Sequence, residues 1–377
     1  MRVTRATVGS GLAALVVGIA VVVATASPAA AHGAGGLQPT DYVTEVAGLT
    51  PVLAGVEVRA VDLGSKIELR NAGREAVTIL GYDDEPYLRV TRTGVFENAR
   101  SPAVFFNRGP TITGRLPASY DATATPEWRK ISDGNVARWH DHRAHWMGRS
   151  DPPMVERDRS RPHVVMPNWE VPVRVAGQSA MITGDATWIP PPSPWPWVLG
   201  AVALAAIVIA LGRTRAWARV LTAALAVLLV SEAIHIVGGW GATTSSLLAK
   251  LGAGVYSIAG LVIGVVALIW LVRRDPRDAT PIVLIAALFL FIAGGLADVT
   301  SLTRSQLPTT LAPWLARLTV ITALGLGFGL MVTAALRLRP TARRAPDRTL
   351  RRPRSTRSVA RRDTREPACD AGPWTGT

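Results

Sequence analysis

Ile189-Pro190-Pro191-Pro192-Ser193-Pro194-Trp195-Pro196-Trp197-Val198 separates two parts of the chain with different physical character. The prolines hold this stretch extended, and the two tryptophans suit the headgroup level of a bilayer. On its C-terminal side five apolar segments follow, at about 195–211, 220–237, 251–272, 281–297 and 318–336. Each approaches or exceeds the roughly 17–25 residues that a membrane-crossing helix needs. The intervening loops sort by charge. Arg213, Arg215 and Arg219 lie between the first and second segments, and Arg273, Arg274 and Arg277 between the third and fourth. The alternate loops hold only Lys250 and Arg304, with Arg317 at the border of the fifth segment. Cytoplasmic loops carry the excess of Lys and Arg, which predicts a cytoplasmic C-terminal tail and an external N-terminal part.

On the N-terminal side of the proline stretch the pattern is that of strands. Val56, Val58 and Ala60 alternate with Glu57 and Arg59; Ile67 and Leu69 alternate with Lys66, Glu68 and Arg70, before a turn at Asn71-Ala72-Gly73. That period of two is the mark of a half-buried strand. Further strands are expected at 76–80, 86–91, 164–166, 169–175 and 179–189. Short strands with turn signals and no long helical period imply an all-β, sandwich-like domain. The middle, 107–161, is rich in Pro, Gly, Asp and Arg and reads as long loops on that sandwich. The chain has one cysteine, Cys369, so no intrachain disulfide forms and CxxC redox chemistry, zinc ribbons and Cys-ligated blue copper are excluded.

Residues 1–31 read as a secretory signal peptide. Arg2 and Arg5 precede a small apolar core, and Ala29-Ala30-Ala31 offers a cleavage site that leaves His32 first; cleavage at Ala24-Thr25-Ala26, which leaves His32 inside the N-terminal stretch, and an uncleaved anchor are the alternatives. The expected domains are therefore an extracytoplasmic β-rich domain at 32–189, a Pro/Trp linker at 190–197, a five-helix transmembrane domain at 198–336 and a disordered tail at 337–377. Of the formal net charge of +14, the tail holds +8, from 12 Arg against Asp347, Asp363, Glu366 and Asp370. Such a tail suits anionic lipids at the cytoplasmic face; no aromatic platform accompanies it that would suit nucleic acid. A multi-pass protein of the plasma membrane results.

The residues that can carry chemistry are few. Three of six histidines stand in Trp139-His140-Asp141-His142-Arg143-Ala144-His145-Trp146. On a strand His140 and His142 share a face; on a helix His142 and His145 do. Two imidazoles converge in either case, and imidazole suits Cu(II), Zn(II) and Ni(II). His32, at a free N-terminus, adds an amine and a ring that chelate together. A metal site of His32, His140, His142 and His145 is thus expected, with copper the first choice. His163 and Met166 read as structural. A second constellation lies in the membrane part: Glu232 and His235, three apart on the second segment, and Asp298 at the end of the fourth, with Arg317 a candidate partner. Gly325, Gly327 and Gly329 read as close-packing positions between helices. No G-x-S-x-G, H-E-x-x-H, P-loop or dinucleotide fingerprint is present, so no enzymatic activity is expected.

Gly81-Tyr82-Asp83-Asp84-Glu85-Pro86-Tyr87-Leu88-Arg89-Val90, followed by Phe96-Glu97-Asn98 and Ser101-Pro102-Ala103, resembles a family of actinobacterial multi-span membrane proteins with an exported β domain. The histidine segment and the Pro-Trp linker share the resemblance, which brings no established activity with it. In architecture alone, with His32 at its head, the chain is similar to copper-resistance proteins of the CopC and CopD type. That likeness implies copper handling by the exported domain. The methionine-rich loop of those proteins is missing, which favours Cu(II) over Cu(I). The alternative expectation is a membrane-anchored interaction module that docks a protein partner at the cell surface without metal.

Overall fold

The computed structural model describes residues 37–109, 114–148 and 150–338. The expected signal peptide, His32 and nearly all of the expected tail lie outside the described residues. Ten strands precede the proline stretch: β1 (Tyr42–Thr50), β2 (Val56–Val61), β3 (Lys66–Asn71), β4 (Val77–Leu80), β5 (Pro86–Thr91), β6 (Gly94–Asn98), β7 (Trp128–Ser132), β8 (Val136–Trp139), β9 (His163–Val175) and β10 (Gln178–Trp188). They form a seven-stranded sheet in the order β1-β10-β9-β4-β5-β6-β7 and a three-stranded sheet in the order β2-β3-β8. The pairs within both sheets are antiparallel.

The alternation in β3 explains why the small sheet covers the large one. Ile67 and Leu69 point inward and stand opposite Trp139 and Ala137 of β8. Across the interior they meet Val77, Ile79, Leu88, Val90, Val171, Val173 and Ile182 from the large sheet. Burial of such side chains contributes about 1.5–3 kcal/mol each. One outward position departs from the pattern. Glu68 is buried because Arg59 and Arg138 close over it, and although burial pushes its carboxyl up, the two guanidinium groups outweigh that and hold it below the usual carboxylate range.

The middle of the domain holds more structure than loops. It carries β7, β8 and two short helices, α1 (Pro102–Phe106) and α2 (Pro153–Arg157). The two strands expected at 164–166 and 169–175 are one, β9. Asn168 takes a positive φ of 49° there, and its N–H donates to Asp185 Oδ1 at 2.8 Å, where the pairing with β10 changes register. A bulge of this kind bends a strand without ending it.

Five helices long and apolar enough to cross a membrane follow: α3 (Trp195–Gly212), α4 (Trp217–Ala242), α6 (Val255–Arg273), α7 (Pro276–Leu290, continued by a π-helical turn Phe291–Leu296) and α8 (Pro313–Leu338). A short helix α5 (Leu247–Ala253) joins α4 to α6. The first helix takes up Trp195-Pro196-Trp197, with proline tolerated in its first turn, so the linker ends earlier than its composition implies. Helix α8 lies centrally, against α3, α4 and α7.

Gly325 and Gly329 let α8 approach α3. A Cβ at Gly325 would stand 2.6 Å from the carbonyl oxygen of Ala201, where nothing flexible can give way. Gly325→Ala is therefore expected to lower bundle stability by about 1–3 kcal/mol. The thermal midpoint in detergent reads this, with Gly252→Ala as the control because nothing lies within 4 Å of its added carbon. Equal midpoints for the two variants would show that α3 and α8 do not pack here.

Among the described residues, hydrogen bonds join the β domain to the bundle at two places. Thr40 and Gln306 exchange backbone hydrogen bonds of 3.0 and 2.8 Å, and beside them Asp41 accepts from Arg304 at 2.6 Å and from the Ser305 N–H at 2.8 Å. At the second, Asp62 accepts from the N–H and hydroxyl of Thr244, at 2.9 and 3.1 Å, just beyond the end of α4. Burial raises the Asp62 carboxyl, but Lys66 and Thr244 outweigh it and hold the group below its ordinary value.

Candidate functional site

The histidine segment follows β8 and adopts neither regular strand nor α-helix. Trp139 ends the strand in the core, and Asp141 caps a single 3-10 turn, His142–Ala144, by accepting from the Arg143 N–H at 3.1 Å. Asp141 is fully buried and completely engaged. Its two oxygens take Arg143 Nε at 2.9 Å and Nη2 at 2.8 Å, and Trp139 Nε1 at 3.0 Å. Arg143 also donates to the carbonyls of Gly81 and Leu80 and lies 4.8 Å over the ring of Tyr82. Asp141 is thus an anchor for the loop, with no lone pair aimed at a metal.

Around that anchor the three imidazoles come together. The ring centres of His140 and His142 are 4.9 Å apart and those of His140 and His145 are 4.4 Å apart. Their nitrogens differ in use. His140 Nδ1 sits 2.6 Å from the carbonyl oxygen of Ser65, and His142 Nε2 sits 3.0 Å from that of Gly109. A carbonyl only accepts, so each of these nitrogens carries the proton and the other nitrogen keeps its lone pair. Those other nitrogens, His140 Nε2 and His142 Nδ1, are buried and have no hydrogen-bond partner among the described residues. His145 is spent differently: Nδ1 faces the Asp141 carbonyl and Nε2 the Gly64 carbonyl, both at 2.6 Å. Protonated on both nitrogens, the ring donates to both carbonyls and ties two loops together.

Desolvation, then the neighbouring His145, pushes the His140 imidazole down to about 4, so that it is neutral at ordinary pH. A cavity of about 850 Å³, lined from both sheets, reaches His140 and His145, with Tyr87, Asn107 and Trp139 among its walls. Leu37, the first described residue, lines it too. His163 is held elsewhere, with Nε2 2.6 Å from the carbonyl of Asp158. Among the described residues, no group of three or more His, Cys, Asp and Glu side chains is disposed to share one metal ion. The site offers two imidazole lone pairs.

The membrane constellation is partly assembled. His235 on α4 bonds through Nε2 to Asp298 Oδ2 at 3.2 Å and through Nδ1 to the hydroxyl of Thr319 on α8 at 3.1 Å. Glu232, one turn away on α4, is buried, and its Oε1 has no partner among the described residues. Its carboxyl packs against Gly294 in the π-helical turn, where a Cβ would stand 2.1 Å from Oε2. Arg317 pairs with neither acid; it donates to the carbonyls of Ser301 at 3.1 Å and Arg304 at 2.8 Å.

Sequence patterns carry no trace of the carbonyls of Gly64, Ser65 and Gly109, because any residue presents a carbonyl. Asp62-Leu63-Gly64 does leave a signal, an Asp and a Gly of turn type, and all three residues take positive φ, at 55°, 57° and 78°. No protein-family model, no curated protein and no solved structure matches the chain.

Proposed function

We propose that this multi-pass membrane protein binds one metal ion, copper first, through Nε2 of His140 and Nδ1 of His142 in a β domain that faces out of the cell. One observation carries the reading. Both nitrogens are buried with no donor to satisfy them among the described residues, while the opposite nitrogen of each ring is fixed on a backbone carbonyl. Metal-ligating histidines are oriented in that way, and a buried lone pair left unmet is otherwise a cost of about 1–3 kcal/mol. Imidazole nitrogens suit Cu(II) and, next, Zn(II). Water from the cavity fills further positions. His32 is a further candidate, since it lies five positions before Leu37 and that length spans up to about 17 Å.

The outward orientation has its own support. The β domain rests on Thr244 and on Arg304–Gln306, in the loops poor in arginine, while Arg213, Arg215, Arg219, Arg273, Arg274 and Arg277 belong to the others. The anchored interaction module remains the second reading, favoured by Asp141 and His145, whose polar atoms are spent on holding loops.

The test is a titration of the full-length protein in detergent with Cu(II) and with Zn(II), followed by measurement of bound metal. One ion per chain at neutral pH is expected. Proton competition at His140 should begin only near pH 4, well below the imidazole value of about 6.5, because the buried ring resists protonation. The absence of stoichiometric binding at neutral pH would leave the interaction module as the better reading.

A further inference from the structure

At the end of the bundle away from the β domain, the first and last membrane helices leave a gap. Gly212, at the end of α3, lies so close to α8 that a Cβ there would stand 2.4 Å from the Thr333 methyl carbon. Beside this contact lies a cavity of about 300 Å³, lined by Ile209, Gly212, Arg213, Thr333, Leu336 and Arg337. Its composition is divided: Ile209 and Leu336 give an aliphatic wall, and Arg213 and Arg337 give two guanidinium groups.

Arg337 is held in place. Its Nε and Nη2 donate to the Gly212 carbonyl at 3.2 and 2.6 Å, Nη2 also reaches the Thr214 carbonyl at 3.2 Å, and the group lies 5.1 Å over the Trp217 ring. It thereby satisfies carbonyls that the end of α3 leaves open, where a cation is favoured. Nη1 makes none of these bonds, and it carries two N–H donors. Arg213, Arg215 and Arg219 are exposed, and the loop between α3 and α4 contains no acid. Among the described residues, no carboxylate pairs with any of these four arginines. The other loop at this end differs, since Asp275 and Asp278 accompany its arginines.

We infer that the seam between α3 and α8 binds one anionic phospholipid, its phosphate on Arg213 and Arg337 and an acyl chain along Ile209 and Leu336. Position selects the ligand. A cationic pocket at the end of two membrane helices meets headgroups, and its aliphatic wall has no use for a soluble anion. The four uncompensated arginines disfavour a choline headgroup and favour a net negative one.

The experiment is native mass spectrometry of the full-length protein in a non-ionic detergent, titrated with phosphatidylglycerol and with phosphatidylcholine of the same acyl chains. One phosphatidylglycerol per chain is expected, bound about tenfold more tightly than phosphatidylcholine, because both lipids carry the phosphate but only choline adds a cation beside the arginines. R213Q should remove most of that preference. R274Q, in the other loop at this end, should leave it intact, and both variants keep the arginine-rich tail. Arg337 is a poor probe because its loss also frees the end of α3. Equal binding of the two lipids would overturn the inference. So would an unchanged preference in R213Q, which assigns the lipid to the tail. Equal losses in R213Q and R274Q point to diffuse charge and overturn it as well. Displacement of the lipid by millimolar inorganic phosphate would reassign the pocket to a soluble anion.

Discussion

Asp141→Ala is expected to destabilise the β domain by about 3–5 kcal/mol, the cost of breaking a buried ion pair from one side. Asp141 is wholly buried, and its oxygens receive two guanidinium nitrogens of Arg143, the Arg143 N–H and the Trp139 indole. Without the carboxylate, Arg143 keeps only the carbonyls of Gly81 and Leu80 and is left as an uncompensated charge. Domains of this size have about 5–15 kcal/mol in total, so the loss is a large fraction. Asp141→Asn, which keeps the shape and one acceptor, should fall between the two. Tryptophan fluorescence through a urea titration reports the transition, since Trp139 and Trp169 belong to the affected core. A midpoint for Asp141→Ala equal to that of the wild type would show that the loop does not depend on this anchor.

The second large effect concerns metal. Replacing His140 and His142 together by alanine should abolish stoichiometric binding, and either alone should weaken it by more than about 100-fold. Losing an outer-shell partner costs 10–100-fold, and losing one of two protein ligands costs more. His145→Ala should weaken binding by no more than about tenfold, because both its nitrogens face carbonyl oxygens. His163→Ala, on β9 with its nitrogen on Asp158, should leave binding unchanged. Competition with a chromophoric chelator measures all five variants. If the double variant retains one ion per chain, the ligands lie elsewhere in the protein.

How far the sequence could be read follows from what each element depends on. β2, β3 and β5 were legible because each alternates apolar and polar residues against one core. The membrane helices were legible from composition alone. β7 was not, because Trp128–Ser132 is an edge strand, largely exposed, held on β6 by pairing and by the Arg129–Glu97 ion pair of 2.6 Å. β8 is only four residues long and merges into the histidine segment. Within the site, the clustering of imidazoles was legible, whereas the division of labour was not. Which nitrogen stays open depends on the carbonyls of Ser65, Gly109 and Gly64, and these are positioned by turns distant in sequence. Likewise Arg317 looked like a partner for Glu232 or Asp298 by charge, yet it satisfies the carbonyls of Ser301 and Arg304.

The two seats of the β domain on the bundle decide how it can move. The proline stretch adds no third, because Ile189 leaves the domain bonded to Asp41, inside the first seat, at 2.7 Å. Two seats define a line, and any rocking of the domain would be easiest about that line. Amplitude then grows with distance from the axis. The Asp62 turn is itself one end of the axis, and Gly64 and Ser65, which hold His145 and His140, are within three residues of it. Such rocking would move the imidazoles, which lie close to that line, less than the parts of the large sheet farther from it.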